Sequence, residues 1–438
     1  MILTIAVVGS VIIAILARPS WILPFAWVIV MCYPQNLLYN KLPLNAGIDD
    51  LFLILASLVT FVRLFRHNSL RQSRNVLLIV FGLSLMQILS EIAGMMQYPS
   101  LAQSTLKSSL KSLVVLLFIA ALAMDIRREK DVRRHAFWLT AAITSAFGIV
   151  IICSYIPVAA GLWEVRGADT LNNLTVATNR AFGPFNGPAE VGGVACLCLP
   201  LIIGILVYCW HDIRIRAMML ISMLIILDGA IIISRNRTAV LGLGFMLTLA
   251  LILSRRRWYI IGLGLVALLA LVYVLYTNIL LLAPVSDRFA SGTIQEDFST
   301  RLDIWNTVIK NPPRNILVGG GSEALMENMG ITPHNGYLDM FYCWGLFGIS
   351  MFSCLIYYSM KCSRWVIKHD TFPLGRGIGW GLLWSLVAVA FASITTDPWY
   401  MILFRLLLFG MLIMVNSRYQ LTRAGTGRET LRKRKYLR

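Results

Sequence analysis

The sequence predicts an all-α fold: a polytopic helical membrane protein of about 12–13 transmembrane helices, with a large outer loop that contains short helices. Composition is the first reason. The 438 residues are 58% hydrophobic and 14% charged, with a mean hydropathy of +0.73, against roughly 45–50% apolar and about 25% charged residues in soluble domains. Apolar runs such as Val76–Leu89, Leu197–Val207 and Trp258–Leu282 recur along the chain, and the longer ones reach the ~20 residues that cross a bilayer as a helix. Ten-residue segments of alternating hydrophobicity are missing, which speaks against a β-barrel.

Taken in order, spans are read near residues 2–17, 21–34, 48–64, 76–95, 109–124, 137–158, 190–209, 217–233, 238–253, 258–282, 336–360, 378–394 and 400–416. The break Arg18-Pro19-Ser20-Trp21 separates either two full spans or two segments that do not both cross, so the N-terminus lies outside with thirteen spans and inside with twelve. Residues 1–17 could also serve as a signal peptide, although no convincing small-residue cleavage site follows them. With the basic tail, residues 417–438, placed in the cytoplasm, the connections on that side hold 27 of the 39 Lys and Arg residues; eleven lie outside and Arg405 lies in a span. That asymmetry is what the positive-inside rule requires. It accounts for most of the net charge of +18 without a nucleic-acid partner. One membrane domain therefore covers residues 1–438, with long outer loops at 159–189 and 283–335. The eight cysteines fall mostly inside apolar runs, without metal-ligand spacing, and read as helix-packing residues.

Basic residues are selected against in outer loops, so those found there call for a reason. Ser234-Arg235-Asn236-Arg237-Thr238 places two guanidiniums in a short outer turn. The planar fork of arginine suits a diphosphate through paired, charge-assisted hydrogen bonds; snorkelling to headgroups or a structural carboxylate pair is the alternative. Arg288 and Arg301 add charge in the larger loop, and Arg166 and Arg180 in the smaller. Each alone can be a solvated surface residue; together they point to an outward-facing anion site. Between Ser299 and Lys310 the period is helical, with Leu302, Trp305 and Ile309 on one face and Thr300 and Asp303 resembling a capping box. Such a helix can lie at the membrane interface or simply pack over the bundle. Gly319-Gly320-Gly321-Ser322 precedes a short helix-like stretch, Glu323–Met329, and offers either a phosphate-binding turn or a hinge. It lacks the ending of a P-loop.

His334 is the one histidine expected on the outer face; His67, His135, His211 and His369 fall in cytoplasmic loops. An imidazole there can take a proton from an attacking sugar hydroxyl, or cap a helix or bond a carbonyl. Within spans, Gln87, Ser90, Glu91 and Gly94 share one helical face, and Asp228 and Arg405 stand in other spans where they could pair. Lys107 and Lys111, at i and i+4, can meet a lipid phosphate or snorkel.

The ordered set Ser234-Arg235-Asn236-Arg237, Arg301-x-x-Ile304-Trp305, Gly319-Gly320-Gly321, His334-Asn335-Gly336-Tyr337-Leu338 and Gly345-Leu346-Phe347-Gly348 resembles the O-antigen ligase and polymerase family. The resemblance implies a membrane-embedded glycosyltransferase of the GT-C type in the bacterial inner membrane, multi-pass, with its active site facing the periplasm. Its donor is an undecaprenyl-pyrophosphate-linked glycan; its acceptor is another glycan for a polymerase or lipid A-core for a ligase, with membrane lipids as surroundings. It implies no cofactor and no metal, Arg235, Arg237 and Arg301 on the pyrophosphate, and His334 on the acceptor hydroxyl. Arg288, Arg180, Arg166 and Trp305 complete the expected substrate-binding set. No DxD-like acidic pair stands in an outer loop, as a metal-dependent oligosaccharyltransferase would need, and the paired carboxylates of a glycosidase are not evident. The lean is slightly toward the polymerase, since nothing singles out a lipid A-core site. The competing class is a secondary transporter of a small anionic or lipid-linked substrate, which suits twelve spans with sparse charges but leaves the polar concentration outside unexplained.

Overall fold

The computed structural model describes residues 19–33, 48–64, 70–156, 163, 182–185, 188–233, 244, 293–329, 335–394 and 402–436. All regular structure among these residues is helical, with no strand among them. A 3₁₀ turn, Pro19–Trp21, leads into α1 (Ile22–Cys32), followed by α2 (Ile48–Leu64), α3 (Leu70–Gln97), α4 (Ala102–Asp125) and α5 (Glu129–Tyr155). Then come α6 (Pro188–Tyr208), α7 (Ile213–Leu227), α8 (Thr293–Lys310), α9 (Ser322–Met329), α10 (Gly336–His369), α11 (Pro373–Ala392) and α12 (Ile402–Tyr436). Six described helices, α3 to α6, α10 and α11, are long and apolar enough to cross a membrane. The spans expected near 2–17, 238–253 and 258–282 lie outside the described residues.

Burial orders the bundle. The most apolar window of α6 is 94% buried, against 39% in α3 and α4, so α6 is central and the other two have one face to lipid. Apolar burial does not distinguish protein from lipid, so close backbone approach must hold such helices together. Between α6 and α11 it does: a Cβ on Gly204 would fall 2.3 Å from Gly377 O, and one on Gly381 2.5 Å from Leu201 Cα. α7 runs on into a single π turn, Asp228–Ile233, which ends one residue before Ser234. Isolated π turns of this kind frequently mark functional sites.

One end of the bundle is built from ion pairs. Asp125, closing α4, accepts from Arg63 at the end of α2, from Arg134 at 2.7 Å and from His135 at 2.9 Å. Trp27 Nε1 donates to His135 Nδ1 at 3.4 Å, which leaves Nε2–H to donate to Asp125. The sequence placed His135 in a loop; it is fully buried inside α5, since a carboxylate and an indole satisfy both ring nitrogens. Arg418 on α12 makes two hydrogen bonds to Asp370, at 2.8 and 2.5 Å, and sits 3.6 Å from Glu129. The ends of α2 and α4, the start of α5, the α10–α11 turn and the middle of α12 therefore converge, which gathers at one end several connections that the charge count had assigned to one side. Beyond Arg418, α12 continues as helix to Tyr436 through the stretch read from composition as a basic tail.

Candidate functional site

At the other end, the Gly-rich segment is a clamp. α10 breaks at Gly345, where φ is 63° and ψ −167°, and such a break strands the carbonyls before it and the amides after it. Residues 316–321 satisfy them: Gly320 N and Gly321 N donate to Tyr342 O and Cys343 O at 2.9 and 3.0 Å, and Leu346 N and Phe347 N donate to Ile316 O and Leu317 O at 3.0 and 3.1 Å. A side chain on Gly345 would meet Leu317 O at 2.5 Å, besides straining a left-handed backbone.

The start of α9 is equally committed. Glu91 on α3 accepts from Ser322 N at 3.3 Å and Ser322 Oγ at 2.8 Å, so a carboxylate of the protein itself occupies the helix N-terminus. The phosphate-binding reading of this turn is corrected on that ground. The α3 face holding Gln87, Ser90, Glu91 and Gly94 is its dock: Glu91 and Gln87 are buried, and a Cβ on Gly94 would lie 2.1 Å from Gly320 O. Ser108 on α4 donates to Glu91 at 3.3 Å and accepts from Gln87 Nε2 at 3.4 Å, and Gln87 Oε1 accepts from Arg405. A polar thread thus runs from the first turn of α12 to the loop clamp. Arg405 and Gln87 line a cavity of about 20 Å³, with Trp344 and Phe352 among its walls. The suggested Asp228–Arg405 pair is not formed; Arg405 turns to Gln87 instead.

α8 starts at Thr293, six residues before the expected boundary, so Thr300 and Asp303 lie inside it and form no capping box. Of its two faces the one that packs carries Ile304 and Val308: Val308 is 0% exposed and Ile304 packs on the core, while Leu302 and Ile309 are 39% and 62% exposed. α8 contacts α10, and Arg301, Ile304 and Val308 share its inward side by helical spacing. Arg301 and Trp305 are half-buried. Lys107 and Lys111, flanking Ser108 on α4, are half-buried too. Arg301, Lys107 and Lys111 form no ion pair with any described residue.

Arg166, Arg180, Arg235, Arg237, Arg288 and His334 lie outside the described residues. Their anchors are nevertheless visible. Phe182 and Phe185, just after Arg180, are buried, the latter with its ring 5.3 Å from that of Phe147 in the C-terminal half of α5. Trp163 donates to Cys32 O at 2.8 Å. Asn335 accepts from Tyr337 N and Leu338 N at 3.1 and 3.2 Å, so the cap of α10 is Asn335, and the capping role considered for His334 is already filled. Gly336 N donates to Ser393 O at 2.8 Å and Tyr337 OH to Ala390 O at 2.6 Å, which pins the start of α10 to the end of α11. Sequence reasoning missed Asp339, a carboxylate 1% exposed in the first turn of α10. The motif reading stopped at Leu338, and an acidic residue in a helix's first turn right after an Asn cap was the signal that could have found it.

With this geometry in view, comparison with known families gives one finding. Residues 220–353 match a family model described as O-Antigen ligase, in agreement with the resemblance carried by the motifs. The match supports a surface-polysaccharide glycosyltransferase-like role in a multi-pass membrane protein. No curated protein matches the chain.

Proposed function

We propose that this chain, similar to the O-antigen ligase family over residues 220–353, is a metal-independent, inverting glycosyltransferase working at the periplasmic face of a bacterial inner membrane. It transfers a glycan from undecaprenyl pyrophosphate to a sugar hydroxyl, as a surface-polysaccharide polymerase or as a ligase to lipid A-core. The observation that carries this reading is the extent of the match: it encloses Arg235, Arg237, Arg301 and His334, all the residues to which the chemistry is given. Further support is the half-buried Arg301 guanidinium, which no described carboxylate neutralises.

In this mechanism Arg235 and Arg237 hold the pyrophosphate and Arg301 adds a third guanidinium from α8. His334 takes the proton as the acceptor hydroxyl oxygen attacks the anomeric carbon. The bond from that carbon to the phosphate oxygen breaks, and the pyrophosphate leaves on its lipid. Preorganised arginines stabilise the charge that develops there, the work a metal would otherwise do. Arg180, Arg166, Arg288 and Trp305 contact the glycan or its pyrophosphate, and the α9–α10 clamp holds the large loop's C-terminal half in register with the start of α10.

The deciding experiment is incubation of purified protein with the lipid-linked repeat, alone or with lipid A-core. Chain growth without the core identifies a polymerase; transfer only to the core identifies a ligase. Elongation or transfer persisting in an Arg235→Ala/Arg237→Ala/His334→Ala variant would sink the mechanism, and movement of substrate across sealed vesicles without any transfer would favour a transporter.

A further inference from the structure

A recess of about 470 Å³ opens at the ion-paired end of the bundle, far from the clamp, between the 3₁₀ turn before α1 and the first three turns of α5. That size falls within the range of about 300–1,000 Å³ usual for small-ligand sites. One wall is aromatic. Trp138 stacks edge-on against Trp21 at 5.7 Å, and Phe137 against Trp138 at 6.0 Å. Trp21 and Phe137 are themselves exposed. The other wall is charged. Arg134 faces the recess but is neutralised by Asp125 and Asp131, and the Glu129 carboxylate lies 3.6 Å from Arg418. Lys130 and Arg133 are both exposed and form no ion pair with a described residue; Arg133 lies over the Phe372 ring at 5.5 Å and near Cys209. The recess thus keeps two uncompensated cations beside a tryptophan pair, at the N-terminus of a membrane-crossing helix whose dipole adds positive potential.

We propose that this recess binds the phosphodiester headgroup of an anionic phospholipid, with Lys130 and Arg133 on the phosphate and the rings of Trp21, Phe137 and Trp138 against the glycerol and upper acyl chains. Aromatic side chains of this kind sit at headgroup level in membrane proteins, and basic recesses at the ends of membrane helices select anionic lipids. The site is separate from the proposed glycosyl-transfer centre and stands or falls independently of it.

The test uses the full chain in phosphatidylcholine nanodiscs doped with phosphatidylglycerol or cardiolipin, with retained lipids counted by native mass spectrometry. The wild-type protein is expected to retain one more anionic lipid than Lys130→Ala/Arg133→Ala, with affinity for that lipid roughly tenfold weaker or worse in the variant. Phosphatidylcholine retention should not change. Inorganic phosphate at millimolar concentration should fail to displace the lipid; displacement would mean that a free phosphate suffices and would overturn the lipid assignment. Equal retention in variant and wild type, or retention of phosphatidylcholine as strong as that of phosphatidylglycerol, would also overturn it. If the double variant does not melt cooperatively, Lys130→Gln alone, a change at an exposed position, carries the same comparison.

Discussion

The two ends of the bundle treat positive charge in opposite ways. At one end the half-buried or buried cations Arg63, Arg134 and Arg418 each meet a carboxylate, Asp125 or Asp370, that is itself buried. At the other, Arg301, Lys107 and Lys111 are half-buried and form no ion pair with a described residue, while the buried Glu91 accepts from Ser322 and Ser108. A charge in a low-dielectric setting is costly unless paired. The buried ion pairs of the first end therefore read as architecture complete in itself, with the exposed Lys130 and Arg133 standing outside it, and the half-buried cations of the second as electrostatics waiting for an external anion. The contrast explains why counting basic residues alone cannot locate a site: what matters is which of them the fold leaves uncompensated.

The comparison breaks most visibly at Asp125. Asp125→Ala should strand Arg63, Arg134 and His135 together and cost about 3–5 kcal/mol of stability, read as a lowered thermal midpoint in detergent or as loss of the monodisperse protein. Arg301→Ala should do the reverse, leaving the thermal midpoint in place and lowering glycan transfer roughly a hundredfold; a melting shift with unchanged transfer would make Arg301 architectural. Gly345→Ala tests the clamp between the two ends. Its left-handed φ and the 2.5 Å approach to Leu317 O should cost about 1–3 kcal/mol, seen as faster proteolytic cleavage within residues 311–321. Glu91→Gln keeps an acceptor for Ser322 but loses the charge, so about 1 kcal/mol is expected in the same melt. The smallest effect is at Cys209, beside the ion-paired end. Burial, helped by Asp212 and opposed by Arg133, pushes its thiol up to about 11. Because the raised value keeps the thiol protonated, alkylation should be slow at pH 7–8 and accelerate only as the pH climbs toward that value; rapid labelling at pH 7 would show that the loop between α6 and α7 is more open than described.

Much of the membrane body was legible because hydropathy is a local property. The expected spans at 48–64, 109–124, 190–209 and 378–394 each fall on a helix that the structure places within a few residues, apart from α4, which starts at Ala102. The α3 stripe of Gln87, Ser90, Glu91 and Gly94 was legible as inward-facing for the same reason: polar groups avoid lipid. What it faces was not legible, since Gly320 and Ser322 are more than two hundred residues away in the chain. α8 was found as a helix, but its period alone does not say which face packs on the bundle. Leu302, Trp305 and Ile309 satisfy the period as well as Ile304 and Val308 do, and only the neighbouring α10 chooses between them. The triple glycine read locally as a phosphate-binding turn or a hinge; the amides of Gly320 and Gly321 are instead consumed by the break in α10, which no local pattern announces.

By itself the sequence determined the all-helical membrane class, the order of most spans, the asymmetry of basic residues and the family motifs, because each depends on the composition of a single segment or on residues in fixed order. Tertiary structure alone decided which cations are neutralised, that Glu91 and not a ligand closes the start of α9, that Asn335 caps α10, and that residues 316–321 repair the break at Gly345. All of these depend on distances between segments remote in the chain, and in a bundle whose helices are all apolar, hydropathy carries no record of which helix lies beside which.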